Sequence, residues 1–267
     1  MKAVVDPYRH SVRPEDLDLA ASLLAASKRP AALTGAGMSA ESGLATFRGT
    51  HSSLWSRWEP EELATPRAYR EDKELVWGWY MWRMGAVARA QPNAGHKALA
   101  VMSRRWPYFA IVTQNVDNLH ERAGSTRITH LHGGLFEHRC FACARPHPEF
   151  VVPADAADGP QLRLAPPRCL HCGGYIRPGV VWFGEQMPEE PWNQATAWLR
   201  ECDLLLVIGT SAMVQPAASL VGFARQHGAK VVLVNPEDTG HSSLADVHLK
   251  AGAAEALPLL LDRLDRS

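Results

Sequence analysis

The stretch TGAGMSAESGLATFRG at residues 34–49 constrains this chain more than any other. It follows the apolar run Ala31, Ala32, Leu33, short enough for a buried strand, and its first glycines fit G-x-G-x-x-A. A strand that breaks into such a turn and then into a helix is the opening unit of a helix-covered parallel sheet. In that unit Gly35 permits the sharp bend, Gly37 lets the backbone approach a pyrophosphate, and small Ala40 allows close packing. A helix starting near Ser39 would aim its N–H groups and positive dipole end at the anion. The same glycines also suit a strand-to-helix turn that binds nothing. The acidic residue expected about 20 positions later, closing a second strand, is missing. Glu59, Glu61 and Glu62 stand instead in a stretch that reads as loop and helix, so a bound ribose would be held from elsewhere.

Further along, residues 108–113, 128–131, 204–208 and 231–234 are short apolar or β-rich runs. Each ends in polar residues: Gln114, Asn115 and Asp117; His132 with two glycines; Gly209, Thr210 and Ser211; Asn235 and Glu237. Near-continuous apolar strands alternating with helical stretches mean a parallel sheet buried on both faces. Ligands on such sheets sit beyond the carboxyl ends of the strands, where all four clusters fall. Residues 14–27 read as a helix started by Pro14, and 50–104 as an inserted helical module punctuated by Pro60, Pro66 and Pro92 and rich in tryptophan.

The five cysteines fall as C-x2-C-x25-C-x2-C plus Cys202. Two thiolate hooks supply the four soft ligands of a closed tetrahedral structural zinc, formed by Cys140, Cys143, Cys169 and Cys172. A redox pair or an iron–sulfur site would use the same residue type, although a redox pair needs no second copy. His138, His147 and His171 are surplus to four thiolates and read as surface loop residues, and Cys202 reads as core filling. The fold expected is α/β: a Rossmann-like parallel sheet with helices on both faces (1–49, 105–138 and 176–267), plus a helical insertion (50–104) and a small zinc-binding module (139–175).

Composition excludes several classes. Lys plus Arg and Asp plus Glu are both 28, so no bulk charge favours nucleic acid or membrane. The polar, acid-containing N-terminus is unlike a signal peptide, and no apolar run spans a bilayer, so a cytoplasmic chain is expected. His132, in HLHGG just past a strand end, can accept a proton near neutral pH, while a packed or capping histidine would suit the same place.

GAGMSAESG with FRG, then TQNVDNLH, LHGG, the paired cysteines, RPGVVWFGE, GTS and VNPE, in this order, resemble the sirtuins, NAD-dependent protein lysine deacylases. The resemblance runs from about residue 31 to 253. It implies NAD as co-substrate, one structural Zn2+ and acyl-lysine proteins as partners; a monomer is expected. It places Gly35, Ala36, Gly37, Phe47 and Arg48 against the cofactor, and Gln114, Asn115 and Asp117 around its ribose and nicotinamide amide. Gly209, Thr210, Ser211, Asn235, Glu237 and Ala253 fall on the adenosine side, and His132 becomes the general base. Gly184, Glu185 and the rest of segment 179–185 resemble the strand that pairs with substrate, with Val181 and Phe183 lining the lysine tunnel. In the family the acyl-amide oxygen attacks C1 of the nicotinamide ribose as nicotinamide leaves, the base then deprotonates a ribose hydroxyl so that the alkylimidate collapses, and water completes release of lysine and O-acyl-ADP-ribose.

One departure bears on the substrate. The usual P-D-F-R of the family reads here Ala45, Thr46, Phe47, Arg48, resembling the branch that removes acidic acyl groups, and Tyr80 and Arg83 match that branch's Y-x-x-R. At i, i+3 the pair shares a helix face and could hold one carboxylate, with Ala68 leaving room for a longer chain. Succinyl- or malonyl-lysine is then the expected substrate, with acetyl-lysine also accepted. Two alternatives use the same NAD site: a protein ADP-ribosyltransferase and a non-catalytic NAD-binding module.

Overall fold

The computed structural model describes residues 12–44, 60–148 and 163–266. Phe47 and Arg48, with Ala45, Thr46, Trp55, Trp58 and Glu59, lie outside the described residues. Six strands form one parallel sheet: β1 (Pro30–Thr34), β2 (Ala110–Thr113), β3 (Ile128–His130), β7 (Leu204–Ile208), β8 (Lys230–Val234) and β9 (Val247–Leu249). Their order is β3-β2-β1-β7-β8-β9, which, counted along this sheet alone, is the doubly wound order 3-2-1-4-5-6. The chain reverses direction across the sheet between β1 and β7, which puts the crevice expected of such sheets beyond the carboxyl ends of those two strands.

Alternate residues of the central strands β1, β2, β7 and β8 enter two separate cores. Ala32, Ile111, Leu204, Leu206 and Val232 face α1 (Pro14–Ala26), α6 (Ala94–Arg105) and α10 (Ala253–Leu264). Leu33, Val112, Leu205, Val207 and Val231 face α8 (Glu189–Glu201) and α9 (Ser219–Gln226). Fully buried central strands of this kind read as unbroken apolar runs, which is why they were legible. The edge strand β9 was not foreseen. It is three residues long, Val-His-Leu, and carries no run to detect.

The helical insertion comprises α3 (Pro60–Leu63), α4 (Pro66–Glu71), α5 (Lys73–Arg89) and α6. Side-chain caps mark its starts. Thr65 accepts from the Ala68 amide, Asp72 from Leu75 and Asn93 from His96. Although α6 lies within the stretch read as an inserted module, it packs in the sheet core through Ala98, Leu99 and Met102. By contrast α5 is buried nearly all round and shares one core with the cysteine-bearing segment: Trp77, Tyr80, Met81 and Met84 pack with Leu135, Cys140, Cys169, Ile176 and Trp182. That segment contributes a small antiparallel sheet, β5 (Pro146–His147), β4 (His138–Cys140) and β6 (Ile176–Pro178).

His138 is not a surface residue. It lies buried in β4 with its ring 5.7 Å from that of Trp77, and burial pulls its pKa down to about 4. No helix among the described residues is long and apolar enough to cross a membrane.

Candidate active site

The crevice is floored by glycines, for a reason the turn motif alone did not reveal. A Cβ on Gly35 would come within 2.8 Å of the Gly209 carbonyl oxygen, and one on Gly37 within 2.7 Å of the Gly209 Cα. Gly209 itself has φ +59° and would press a Cβ into the Met38 amide. The Gly37 N–H donates to Gly209 O at 2.9 Å. These glycines therefore clasp the ends of β1 and β7 together, and the Gly37 amide is engaged in that clasp. The helix expected after them, α2 (Gly37–Ala40), is a single turn, ended by Gly43 at φ +82°.

Beyond the clasp a polar relay crosses from β1 to β2. The Asn115 side-chain amide donates to the Ser39 hydroxyl at 3.2 Å, and Ser39 donates to Asp117 Oδ2 at 2.9 Å. Asp117 Oδ1 accepts from the Leu119 amide at 3.0 Å, starting α7 (Leu119–Ala123). All three side chains are buried. Burial pushes the Asp117 carboxyl above the ordinary carboxylate range, opposed by the Leu119 and Ser39 hydrogen bonds. The turn motif marks Ser39 only as a helix start; the signal for its place in the relay is a hydroxyl inside an otherwise apolar turn.

Gln114 reaches the other way. Its side-chain amide donates to Thr210 Oγ1 at 3.2 Å, while Asn235 Nδ2 donates to Thr210 O at 3.3 Å. So β2, β7 and β8 are tied at one edge. Ser211 and Glu237 are exposed beside them, and Ala253 is the buried first residue of α10. Ala36 precedes α2 as its cap.

His132 follows β3, and its Nδ1 lies 3.0 Å from the Gln114 carbonyl oxygen. A carbonyl can only accept, so Nδ1 carries the proton and Nε2 keeps the lone pair. Burial lowers its pKa below the ordinary histidine value, opposed by the bond to Gln114. The side chain is thus a neutral imidazole with one basic nitrogen, the form a general base needs. His130, two residues earlier, donates from Nδ1 to Asn115 O at 2.9 Å and meets Glu121 with Nε2 at 2.7 Å.

The segment expected to be a strand, 179–185, continues past β6 without joining a sheet. The amides of Gly179, Val181 and Phe183 donate to Glu137, His132 and Ala64 carbonyls in turn, and Gly184 turns the chain at φ +85°. Phe183 is exposed. The Glu185 carboxylate is bound to Arg177 and to the Trp182 amide at 2.9 Å, and so braces this loop. On α5, Tyr80 and Arg83 lie one turn apart, with the guanidinium 4.8 Å from the Trp79 ring and 5.9 Å from that of Tyr80. Ala68, on α4, packs against the same core.

The four cysteines meet as the spacing predicts. Their sulfurs all lie within 4.8 Å of one another, with Cys140–Cys172 at 3.5 Å and Cys143–Cys169 at 3.8 Å. A tetrahedral zinc with bonds of about 2.3 Å sets its sulfurs about 3.8 Å apart, so the cluster fits a closed structural site. Cys202 is buried away from it, its thiol pushed up to about 12.

A doubly wound sheet with a clasped switch point, and with a serine–carboxylate relay and a neutral histidine at its strand ends, has the architecture of an α/β nucleotide-site protein. The sequence profile of the Sir2 family matches residues 35–216. An NAD-dependent protein deacylase 1 of Pseudomonas aeruginosa is 49% identical over 245 residues, covering 90% of this chain and 96% of its own. An NAD-dependent protein deacylase of Mycolicibacterium paratuberculosis is 50% identical over 236 residues, covering 88% and 98%. The solved structure of a Sir2 homolog–NAD complex superposes with a TM-score of 0.85 at 42% identity, covering 97% of both chains. This chain belongs to the Sir2 family.

Proposed function

We propose that this protein is an NAD-dependent protein lysine deacylase that prefers acyl groups ending in a carboxylate, such as succinyl- and malonyl-lysine, over acetyl-lysine. The relatives' shared activity and the four-thiolate cluster support the NAD and structural-zinc parts of this reading. NAD, as co-substrate, supplies an activated ribose carbon to which the acyl oxygen is transferred. The chain supplies position and proton management. Asn115, Ser39 and Asp117 present a fixed polar wall at the switch point, and Gln114 and Asn235 join it to the far side of the crevice. His132 Nε2 stands ready to take a ribose hydroxyl proton. The zinc site, with four thiolates and no open position, holds structure and takes no chemical part.

The acyl preference is carried by one observation: Arg83 is half-buried beside Trp79 and Tyr80 on the helix that faces the loop of Val181 and Phe183. Burial pulls its pKa below the usual arginine value, opposed by Tyr80 and Asp117. A guanidinium largely withdrawn from water gains more from an incoming carboxylate than from a neutral methyl group, because the pair is screened weakly there. The test is release of nicotinamide and deacylated peptide from matched acetyl-, succinyl- and malonyl-lysine peptides. Wild type should favour the acidic groups, Arg83→Met should erase that preference, and His132→Tyr should abolish turnover on all three. A wild type that prefers acetyl-lysine and an Arg83→Met variant that changes nothing would sink the acyl assignment.

A further inference from the structure

We propose that Trp182 is a positioning residue for acyl specificity: its indole N–H fixes the direction of the Tyr80 hydroxyl, so that the phenol can act only as a donor toward the acyl carboxylate. The inference rests on the Tyr80–Arg83 reading above. An indole N–H has no acceptor capacity, so the 2.8 Å contact between Trp182 Nε1 and Tyr80 Oη has one sense, with tryptophan donating. One lone pair of the phenol is thereby used, and its own proton must point away from the indole. Among the described residues no acceptor receives that proton. Tyr80 is 1% exposed, and burial pushes its pKa up to about 12, so the hydroxyl keeps its proton throughout the neutral range.

The indole is itself held rigidly. The Arg177 guanidinium stacks 3.3 Å over its face, Tyr69 lies 5.3 Å and Phe141 6.1 Å away between ring centres, and its backbone amide is bound by Glu185. Arg177 is 3% exposed in its side chain and also donates to the Pro178 and Val180 carbonyls and to the Glu185 carboxylate. A brace of ion pair, indole and phenol therefore runs from the β6 loop into α5. A phenylalanine at 182 would fill much the same space and satisfy the packing. It could not donate, and the Tyr80 hydroxyl would then rotate freely and accept from its neighbours as readily as it donates.

The experiment compares wild type, Trp182→Phe, Tyr80→Phe, the double variant and Arg83→Met on succinyl- and acetyl-lysine peptides, with thermal unfolding recorded for each. Loss of one oriented hydrogen bond to a charged group predicts that Trp182→Phe lowers the ratio of kcat/KM for succinyl-lysine over acetyl-lysine about tenfold, mainly through the KM for succinyl-lysine. In the Tyr80→Phe background the same change should have no further effect on the ratio. Equal losses on both peptides, or an unchanged ratio, in Trp182→Phe while Arg83→Met still erases the preference would overturn the role of Trp182 alone. No acidic preference in wild type would remove the Tyr80–Arg83 reading, and this inference with it.

Discussion

Two imidazoles placed two residues apart show how much a neighbour decides. His130 and His132 hang on successive carbonyls, those of Asn115 and Gln114. The second nitrogen of His130 faces Glu121, and despite the opposing cost of burial that pair raises its pKa, whereas His132 has burial opposed only by a carbonyl and is lowered. The acid limb of kcat in a deacylation pH profile should therefore fall below pH 6.5, the ordinary histidine value, and Glu121→Gln should leave that limb in place. A limb above 6.5 would argue that another group is the base. Stability carries a related signature. His96 is fully buried, its pKa lowered to about 4, so between pH 6.5 and 4 the unfolded chain binds a proton that the folded chain refuses. Stability is lost as pH falls through that window, by about 3 kcal/mol from this group, and no further below it. Urea unfolding at pH 7, 5.5 and 4 with zinc in excess measures the slope, which His96→Gln should flatten.

At the scale of elements, the glycine clasp makes the sharpest forecast. Gly209→Ala would force a Cβ into the Met38 amide from a positive φ, so we expect a loss of about 2 kcal/mol or more and a weakened NAD site, read by denaturation and by nicotinamide release. Ala40→Ser, in the same turn but without that conflict, is the control. The clasp also shows where sequence reading reached and stopped. The glycine spacing located the turn, and the apolar runs located β1, β2, β7 and β8, because both signals are local and chemical. That Gly37 and Gly209 are glycines because of each other, 172 residues apart in chain order, is a fact of packing that no local pattern holds. The same distinction separates the cysteine site, written in its spacing, from the Arg177–Trp182–Tyr80 brace, whose members reveal themselves only once β6 meets α5. Arg122 is a further case: it donates to Val87 O at 3.0 Å and Ala90 O at 2.6 Å, tying α7 beside the active site to the end of the helix that carries Tyr80 and Arg83.

For the whole molecule, the cysteine site and the helical insertion stand or fall together, since Cys140 and Cys169 belong to the same core as Trp77, Tyr80 and Trp182. Stripping zinc, or changing Cys140 to serine, should loosen α5 and the 179–185 loop while the parallel sheet stays folded. Hydrogen exchange tests this: amides of α5 should lose protection well before those of β1, β7 and β8. Uniform loss across both would show a single cooperative unit. The distribution of aromatic side chains makes the event visible by eye of a spectrometer. Of the described tryptophans, Trp77, Trp79, Trp82 and Trp182 crowd the core that the insertion shares with the cysteine segment, while the sheet cores contain Trp106, Trp192 and Trp198 only at their margins. Among the described tryptophans, intrinsic emission is thus weighted toward the core that the insertion shares with the cysteine segment. An optical titration with substrate reports on that core, and a fluorescence melt registers its loosening even where circular dichroism still records an intact sheet.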